Sequence, residues 1–560
     1  MARGLLVSFA GYPYTPSSLM PDNGLASLAA CLQEAGHEAR ILDFGTVGTL
    51  ARLFPPSLSR GVTSLIKGVL LEEHKPSLRD KLLLWWTDRR LRRHQRKEVE
   101  RIACQVTRTA RDWGADFVGF KLWTGIGFLA AVQAAELIRR ELPHVSIFAG
   151  GPHVDYFGEK VFLATSAFDA LVRHEGEHVI VPLAEWAAAS REPETIPNLI
   201  YRDGGSIRTT DDVPLARWEA LPLPAYDVAT YPALDGDQKI KIGILDESRG
   251  CPHRCFFCIH PVKSGGRWKV KSPERVLREV QNLREHLGTN TFVYAGSNTP
   301  AKAATENARA LFTEGMRVRY ACFGHVRDMH KADFRLLKRS GCQAIFYGIE
   351  SASPRILRDS LNKGSRPEMM RQVLRMTKEE GIYTIASIIY PSPWEDEESR
   401  RSTLDFLTEV RPDSVPVTIP GLIPGTTWAR EPERFGFDFR DGPSLWQEAM
   451  TYEIKLLFPP AYWKPLPYRL HGKTSREFFA EPAEFVRCIE DEGMLTDVPH
   501  ELYLMSQVLQ MEPREFRDLA RAALLCGDAE AVAEIVKEIN SRCRPALEPG
   551  LAAPHSLGGR

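Results

Sequence analysis

Ile242-Gly243-Ile244-Leu245-Asp246-Glu247-Ser248-Arg249-Gly250-Cys251-Pro252-His253-Arg254-Cys255-Phe256-Phe257-Cys258 is the stretch on which the reading of this chain turns. Its first residues, 242–245, form a short apolar run that reads as a strand. A loop containing Arg249 and Gly250 then leads to three cysteines spaced by three and two residues. Thiolates at that spacing converge on one small metal cluster and leave one iron without a protein ligand. A tetrahedral zinc site would need a fourth ligand, which His253 or His260 could offer.

Downstream, apolar runs recur at residues 291–294, 318–323, 344–347, 383–390 and 414–418. Helical patterns separate them, at about residues 273–286, 303–314, 331–340, 366–380 and 398–410. Six β-α units with short connections predict a partial (β/α)6 barrel over residues 239–440, with its chemistry at the carboxyl ends of the strands. Upstream, residues 196–238 are rich in Pro and Gly and read as a linker. In residues 1–195, runs at 5–9, 39–42, 117–120 and 145–148 alternate with helical patterns at 25–35 and 128–141. That alternation predicts an α/β, doubly wound parallel-sheet domain with its ligand beyond the strand ends. An insertion at about 50–112 looks helical, and its Arg89, Arg92, Arg93 and Arg96 share one face. A solvated charged face is the plain reading, phosphate or peptide binding the other. Residues 441–545 read as a small, mostly helical region and 546–560 as a disordered tail.

The bulk numbers agree with this division. A chain of 560 residues exceeds one ordinary core. Lys plus Arg and Asp plus Glu both total 72, so no net field draws the molecule to nucleic acid or an anionic membrane, and neither partner is expected. No run approaches the roughly 18 apolar residues of a membrane span. The start lacks the marks of a signal peptide, so a cytoplasmic enzyme is expected. Cysteines outside the triplet are scattered and read as core or surface thiols.

At the cysteine loop the sequence resembles the radical S-adenosylmethionine (SAM) superfamily, whose signature is Cys-x3-Cys-x2-Cys with an aromatic residue, here Phe257, before the last cysteine. The resemblance implies a 4Fe-4S cluster on Cys251, Cys255 and Cys258. Its open iron would bind the amino and carboxylate groups of SAM, and one electron would cleave SAM to a 5′-deoxyadenosyl radical. Gly348-Ile349-Glu350-Ser351-Ala352-Ser353 matches the family's Gly-Ile-Glu-Ser segment, which implies SAM contacts at Gly348, Glu350 and Ser351. A strand ending in Gly followed by a Ser helix cap is the structural alternative. Ser387 opens the run to Pro393 that stands where the family has a Gly-x-Pro-Gly-Glu turn, here degenerate, and Pro424-Gly425-Thr426 matches a segment after the sixth strand.

The first domain also carries a resemblance. Gly150-Gly151-Pro152-His153 after a strand, with Glu175-Gly176-Glu177 downstream, is similar to the cobalamin-binding domain of class B radical SAM methyltransferases. It implies cobalamin contacts at Thr124, Gly125, Gly150, Gly151, Pro152, His153 and Glu175. No Asp-x-His-x-x-Gly segment supplies a lower-face histidine, which this class often lacks. Taken alone, such a domain could bind a nucleotide or merely turn a strand.

Together these resemblances imply a methyltransferase that moves methyl from SAM through methylcobalamin to an unactivated carbon, or to phosphorus, of a small-molecule or peptide substrate. An external donor such as flavodoxin or ferredoxin would supply electrons. The same motifs serve a cobalamin radical SAM oxidoreductase or cyclase, and a cluster-only sensor is the non-enzymatic reading. Glu274 is open to two readings. Ser272-Pro273-Glu274 suits a helix start, while tryptophan methyltransferases of this class place a protein carboxylate on the open iron and do not cleave SAM to a radical. Trp446, Tyr452, Tyr462, Trp463 and Tyr468 read as core, with a substrate cover as the alternative.

Overall fold

The computed structural model describes residues 1–9, 16–55, 65, 68, 77–216, 218–439, 443–452, 464–525 and 527–544. The expectations at Tyr462, Trp463, Cys526 and the tail fall outside them. Near the N-terminus, β1 (Arg3–Ser8), β2 (Glu38–Asp43), β3 (Phe117–Lys121), β4 (Ser146–Gly150) and β5 (Ala170–Val172) pair in parallel in the order β2-β1-β3-β4-β5. That order reverses between β1 and β3, the switch point where such sheets open a ligand crevice.

Side chains alternate across this sheet. Leu5 and Val7 face a layer made by the helices Leu78–Trp113 and Ile126–Glu141. Leu6 and Ile41 face the helices Asn23–Glu34 and Ile180–Ala187. Ser77 caps the helix Leu78–Trp113 and Gly114 ends it. Its C-terminal half packs through Val99, Ile102 and Val106, while Arg89, Arg93 and Arg96 are exposed and Arg92 pairs with Asp88 at 2.9 Å.

The expected linker needs a correction. Within it, β6 (Leu199–Asp203) and β7 (Ser206–Thr209) form an antiparallel hairpin that extends the first sheet beyond β5. Gly204 and Gly205, which look like linker punctuation, make its two-residue turn, and Leu199, Ile200 and Tyr201 are buried.

In the second half, β8 (Gly243–Leu245) leads to an antiparallel ribbon, β9 (Ser248–Arg249) with β10 (Lys269–Val270), which brackets the cysteine loop. Then come β11 (Thr291–Tyr294), β12 (Arg319–Gly324), β13 (Cys342–Glu350), β14 (Tyr383–Ile389) and β15 (Val417–Thr418). With β8 they make a six-stranded parallel sheet in sequence order. Phe292, Tyr320 and Ile345 pack outward with the helices Pro273–Asn282 and Ala301–Thr313. Val293, Ala321, Ala344 and Ile385 line the concave face and pack on Leu504 and Val508 of the helix His500–Leu509. That helix occupies the concave face below the strand ends and leaves chemistry to the carboxyl-end rim. Among the described residues no helix is long and apolar enough to cross a membrane.

Candidate functional site

The cysteine loop is held from several sides. Gly250 has φ +86°, and a Cβ there would lie 2.1 Å from the Arg267 carbonyl oxygen and 2.7 Å from Ser264 Cβ. Only glycine lets the ribbon close at that point. The Phe256 amide donates to the Leu361 carbonyl at 2.9 Å, and Asn362 donates to the Arg254 carbonyl at 2.7 Å. The Trp428 amide donates to the Phe256 carbonyl at 3.1 Å, and the Phe257 and Trp428 rings meet at 5.7 Å. Gly425 lies beside Ile259, while Thr426 caps the helix Thr427–Arg430. Beneath the loop, the fully buried Glu247 accepts from Gly296 N (3.1 Å) and Thr299 Oγ1 (2.6 Å), joining the ends of β8 and β11. Burial pushes its carboxyl up to about 7.

Cys251 and Cys255 are buried and Cys258 is half-buried. Burial raises all three thiols, Cys255 to about 11 and Cys258 to about 12, while Lys363 opposes the rise. Grouped thiols that resist ionisation fit a site whose thiolates form when metal arrives. The two histidines considered for zinc have other partners: His253 Nε2 meets Asp328 at 2.7 Å, and His260 Nδ1 meets Ser297 Oγ at 2.8 Å. His253 also stacks on His325 at 3.8 Å, and Asn298 donates to Asp328 at 2.8 Å.

Glu350 ends β13 on the concave side, with φ +66° and its carboxylate 3.0 Å from Lys363 Nζ, both side chains buried. Gly348 leaves room for that pair, since a Cβ there would lie 2.8 Å from Lys363 Nζ. Burial works against the Lys363 charge, but Glu350 and the neighbouring thiols outweigh it and its pKa stays above the usual lysine value. No sequence pattern flags Lys363, because a lone lysine between Asn362 and Gly364 reads as a surface loop. Ser387 pairs in register with Gly348 and is buried on the same rim. The Ser351 hydroxyl meets Thr403 Oγ1 at 3.2 Å and accepts from Ser353 N, so it also orders the turn after β13. The degenerate turn after β14 is held by Ser392 Oγ donating to the Ile389 carbonyl at 2.9 Å. Glu274 is exposed in the first turn of a helix capped by Ser272, and the charges acting on the thiols come from Lys363, Glu350 and Asp328.

On the first domain, Gly151 has φ +93°, and a Cβ there would lie 3.1 Å from Lys121 Cγ and 3.3 Å from the Leu122 carbonyl oxygen. At Gly150 a Cβ would meet only Val172, at 3.6 Å. Pro152 starts the helix Pro152–Phe157, Gly125 precedes the helix Ile126–Glu141, and Thr124 Oγ1 reaches the Tyr452 carbonyl at 3.4 Å. An apolar cleft opens beyond β1, β2 and β3, lined by Phe9, Leu19, Phe44, Leu50 and Ile126. His153 is turned away to the core: it is buried between Phe128 and Phe157 and bonded to the Met450 carbonyl at 3.1 Å. Glu175 is also committed elsewhere, to Lys269 Nζ at 2.7 and 2.9 Å. Trp446 and Tyr468 pack in cores, as a structural role requires, and the Tyr452 hydroxyl donates to the Lys464 carbonyl.

The two strand-end rims meet. Arg249 Nη2 lies 2.6 Å from Glu177, Lys269 pairs with Glu175, and Lys263 pairs with Asp155. These bonds join the helix after β4 and the loop after β5 to both flanks of the cysteine loop.

Residues 248–407 match the sequence model of the Radical SAM superfamily. The chain therefore carries a radical SAM domain. The chain is similar to an uncharacterized methyltransferase of Pyrococcus horikoshii, 28% identical over 57% of this chain and 70% of the relative. The anaerobic magnesium-protoporphyrin IX monomethyl ester cyclase of Cereibacter sphaeroides is 25% identical over 50% of this chain, which spans only 48% of that relative's length. In fold, the chain resembles the radical S-adenosylmethionine methyltransferase TsrM of Kitasatospora setae, solved with cobalamin and a [4Fe-4S] cluster. The TM-score is 0.61 at 15% identity, covering 95% of this chain and all (100%) of that one.

Proposed function

We propose that this chain is a cobalamin-dependent methyltransferase acting on an unactivated carbon, or on phosphorus, of a small metabolite or peptide. The observation that carries the reading is the meeting of the two strand-end rims through Arg249–Glu177 and its neighbours, which makes one shared site of the cysteine loop and the first domain's crevice. The TsrM-like fold supports cobalamin in that crevice, and the methyltransferase relative supports the reaction class.

When bound, the cluster with SAM supplies a 5′-deoxyadenosyl radical and the cobalamin supplies a methyl group. The chain's own part is binding and placement. Cys251, Cys255 and Cys258 would hold the cluster, the first two buried and the third half-buried. Gly348, Glu350 and Ser387, on one rim, would hold SAM, with Lys363 fixing the Glu350 carboxylate in place. Thr124, Gly125, Gly150, Gly151 and Pro152 would border the cobalamin, and the apolar cleft would receive its less polar parts. Electrons come from an external flavodoxin- or ferredoxin-type donor.

The test is an anaerobic assay with methyl-deuterated SAM, a reductant and candidate metabolites, read by mass spectrometry. A labelled methyl in product together with 5′-deoxyadenosine is expected. The cyclase relative favours a second reading, in which 5′-deoxyadenosine forms and product gains no methyl. Labelled product without 5′-deoxyadenosine would overturn the radical route, and Glu274→Gln is expected to leave 5′-deoxyadenosine formation intact because that residue is exposed on a helix.

A further inference from the structure

We propose that Asp155, Glu175 and Glu177 of the first domain, with Lys263, Lys269 and Arg249 around the cysteine loop, form a three-point clamp that sets the spacing and orientation of cluster and cobalamin. The inference rests on the two-cofactor reading above and gives these six side chains a positioning role.

Placement is the first argument. Arg249 stands two residues before Cys251 and Lys263 five after Cys258, so the cations sit on both flanks of the loop that carries the thiols. Asp155 lies on the helix Pro152–Phe157, which Gly151 caps after β4, and Glu175 and Glu177 lie on the loop after β5. Two bodies joined at one point can still swivel. Three separate points fix both distance and tilt.

Burial is the second argument. The side chains of Asp155 and Glu177 are only 4% and 6% exposed. Exposed ion pairs contribute little and tolerate loose geometry, whereas desolvated ones demand a matched partner in place. Asp155 also accepts from the His174 amide at 2.8 Å, which ties the helix after β4 to the loop after β5. Arg249 is enclosed further by Asp246 and by the Trp218 ring, 5.3 Å from its guanidinium carbon. Burial alone would raise the Glu177 carboxyl, and the Arg249 charge and hydrogen bond, with a backbone hydrogen bond and the Lys271 charge, together bring it below its ordinary value.

Function needs such rigidity. Two reacting centres carried by separate domains lose about 100-fold in rate for roughly 1 Å of misplacement. Glu175 and Glu177 therefore serve cobalamin chemistry by gripping the neighbouring domain.

The experiment uses full-length protein reconstituted anaerobically with iron, sulfide and hydroxocobalamin, and compares wild type with Glu177→Gln, Asp155→Asn and their double variant. Titanium(III) citrate and SAM are added without further substrate, and two SAM products are measured. S-adenosylhomocysteine reports methyl passage from SAM to reduced cobalamin, with the reductant supplying the electrons. 5′-Deoxyadenosine reports one-electron cleavage at the cluster. In parallel, electron paramagnetic resonance reads the magnetic coupling between the reduced cluster and cob(II)alamin.

The double variant should keep wild-type iron and cobalamin yet lose at least tenfold in the ratio of S-adenosylhomocysteine to 5′-deoxyadenosine, with altered coupling. Glu177→Asp should recover part of the ratio. Unchanged ratio and coupling would overturn the clamp, and so would a parallel fall of both products and of iron, which marks a merely structural role. Should the double variant not fold, Lys269→Gln, whose side chain is 31% exposed, gives the same readouts under the same criteria. Wild type that retains no cobalamin would instead defeat the two-cofactor reading, and the clamp with it.

Discussion

Cys251, Cys255 and Cys258 lie where burial opposes the thiolate form and the Lys363 charge favours it. Such thiols are poor ligands until metal displaces their protons, after which each becomes hard to replace. Reconstituted protein should hold about four iron per chain. The triple variant Cys251→Ala, Cys255→Ala, Cys258→Ala should lose both the iron and its charge-transfer absorption, and retention of that band would refute the ligand set. His153 gives a pH prediction. Its imidazole, lowered from 6.5 to about 4 by burial, is neutral in the fold, while the unfolded chain takes up a proton below 6.5. The contribution is therefore complete above pH 6.5 and is lost as pH falls toward 4. His153→Phe, sharing the space between Phe128 and Phe157, should narrow the loss of melting temperature from pH 7 to about pH 4.5; equal slopes in both proteins would argue against a buried neutral imidazole.

At the scale of elements, the turn after β4 separates two neighbouring glycines that look alike in sequence. Gly151 carries a positive φ and crowds Lys121 and Leu122, whereas Gly150 has ordinary space beside Val172. Gly151→Ala should cost on the order of 1–3 kcal/mol of local strain. It should release cobalamin while iron content stays normal, and Gly150→Ala should retain both. Equal retention by the two variants, measured by cobalt and iron analysis of purified protein, would remove Gly151 from the crevice. Much of this level is legible in sequence: the apolar runs found β8 and β11 to β15 within a few residues, since buried parallel strands are short, continuous and apolar. The β6–β7 hairpin is missed because its glycine turn and brief strands carry the same composition as a linker.

At the scale of the whole molecule, Lys239 joins three regions. Its ammonium reaches Asp43 at the end of β2 and the Gly45 carbonyl at 2.8 Å, and its own carbonyl accepts from Asn540 of the C-terminal helix Ala529–Cys543 at 2.9 Å. Tyr231 donates to the same Asp43 carboxylate and accepts from the Asp22 amide. Lys239→Met leaves a buried carboxylate short of its cation, a loss of about 3–5 kcal/mol. Calorimetry should then show a lower, broader or split transition. An additional Asp43→Asn change should restore part of the loss, because the two effects are not additive in one network.

What the sequence determined by itself was local: strand and helix spacing, the cysteine triplet with Phe257, and the Gly-Gly turn, each set by neighbours a few residues apart. Tertiary structure alone decided the partners. Glu175 and Glu177 sit in a segment that resembles a cobalamin contact yet grip Lys269 and Arg249, some 70 to 95 positions away. His153 sinks into an aromatic pocket closed by Met450, Ser351 turns to Thr403, and Lys363, silent in sequence, becomes the cation beside the thiols. Burial and charge pairing across such separations depend on which surfaces meet when the domains pack, and no local pattern encodes that meeting.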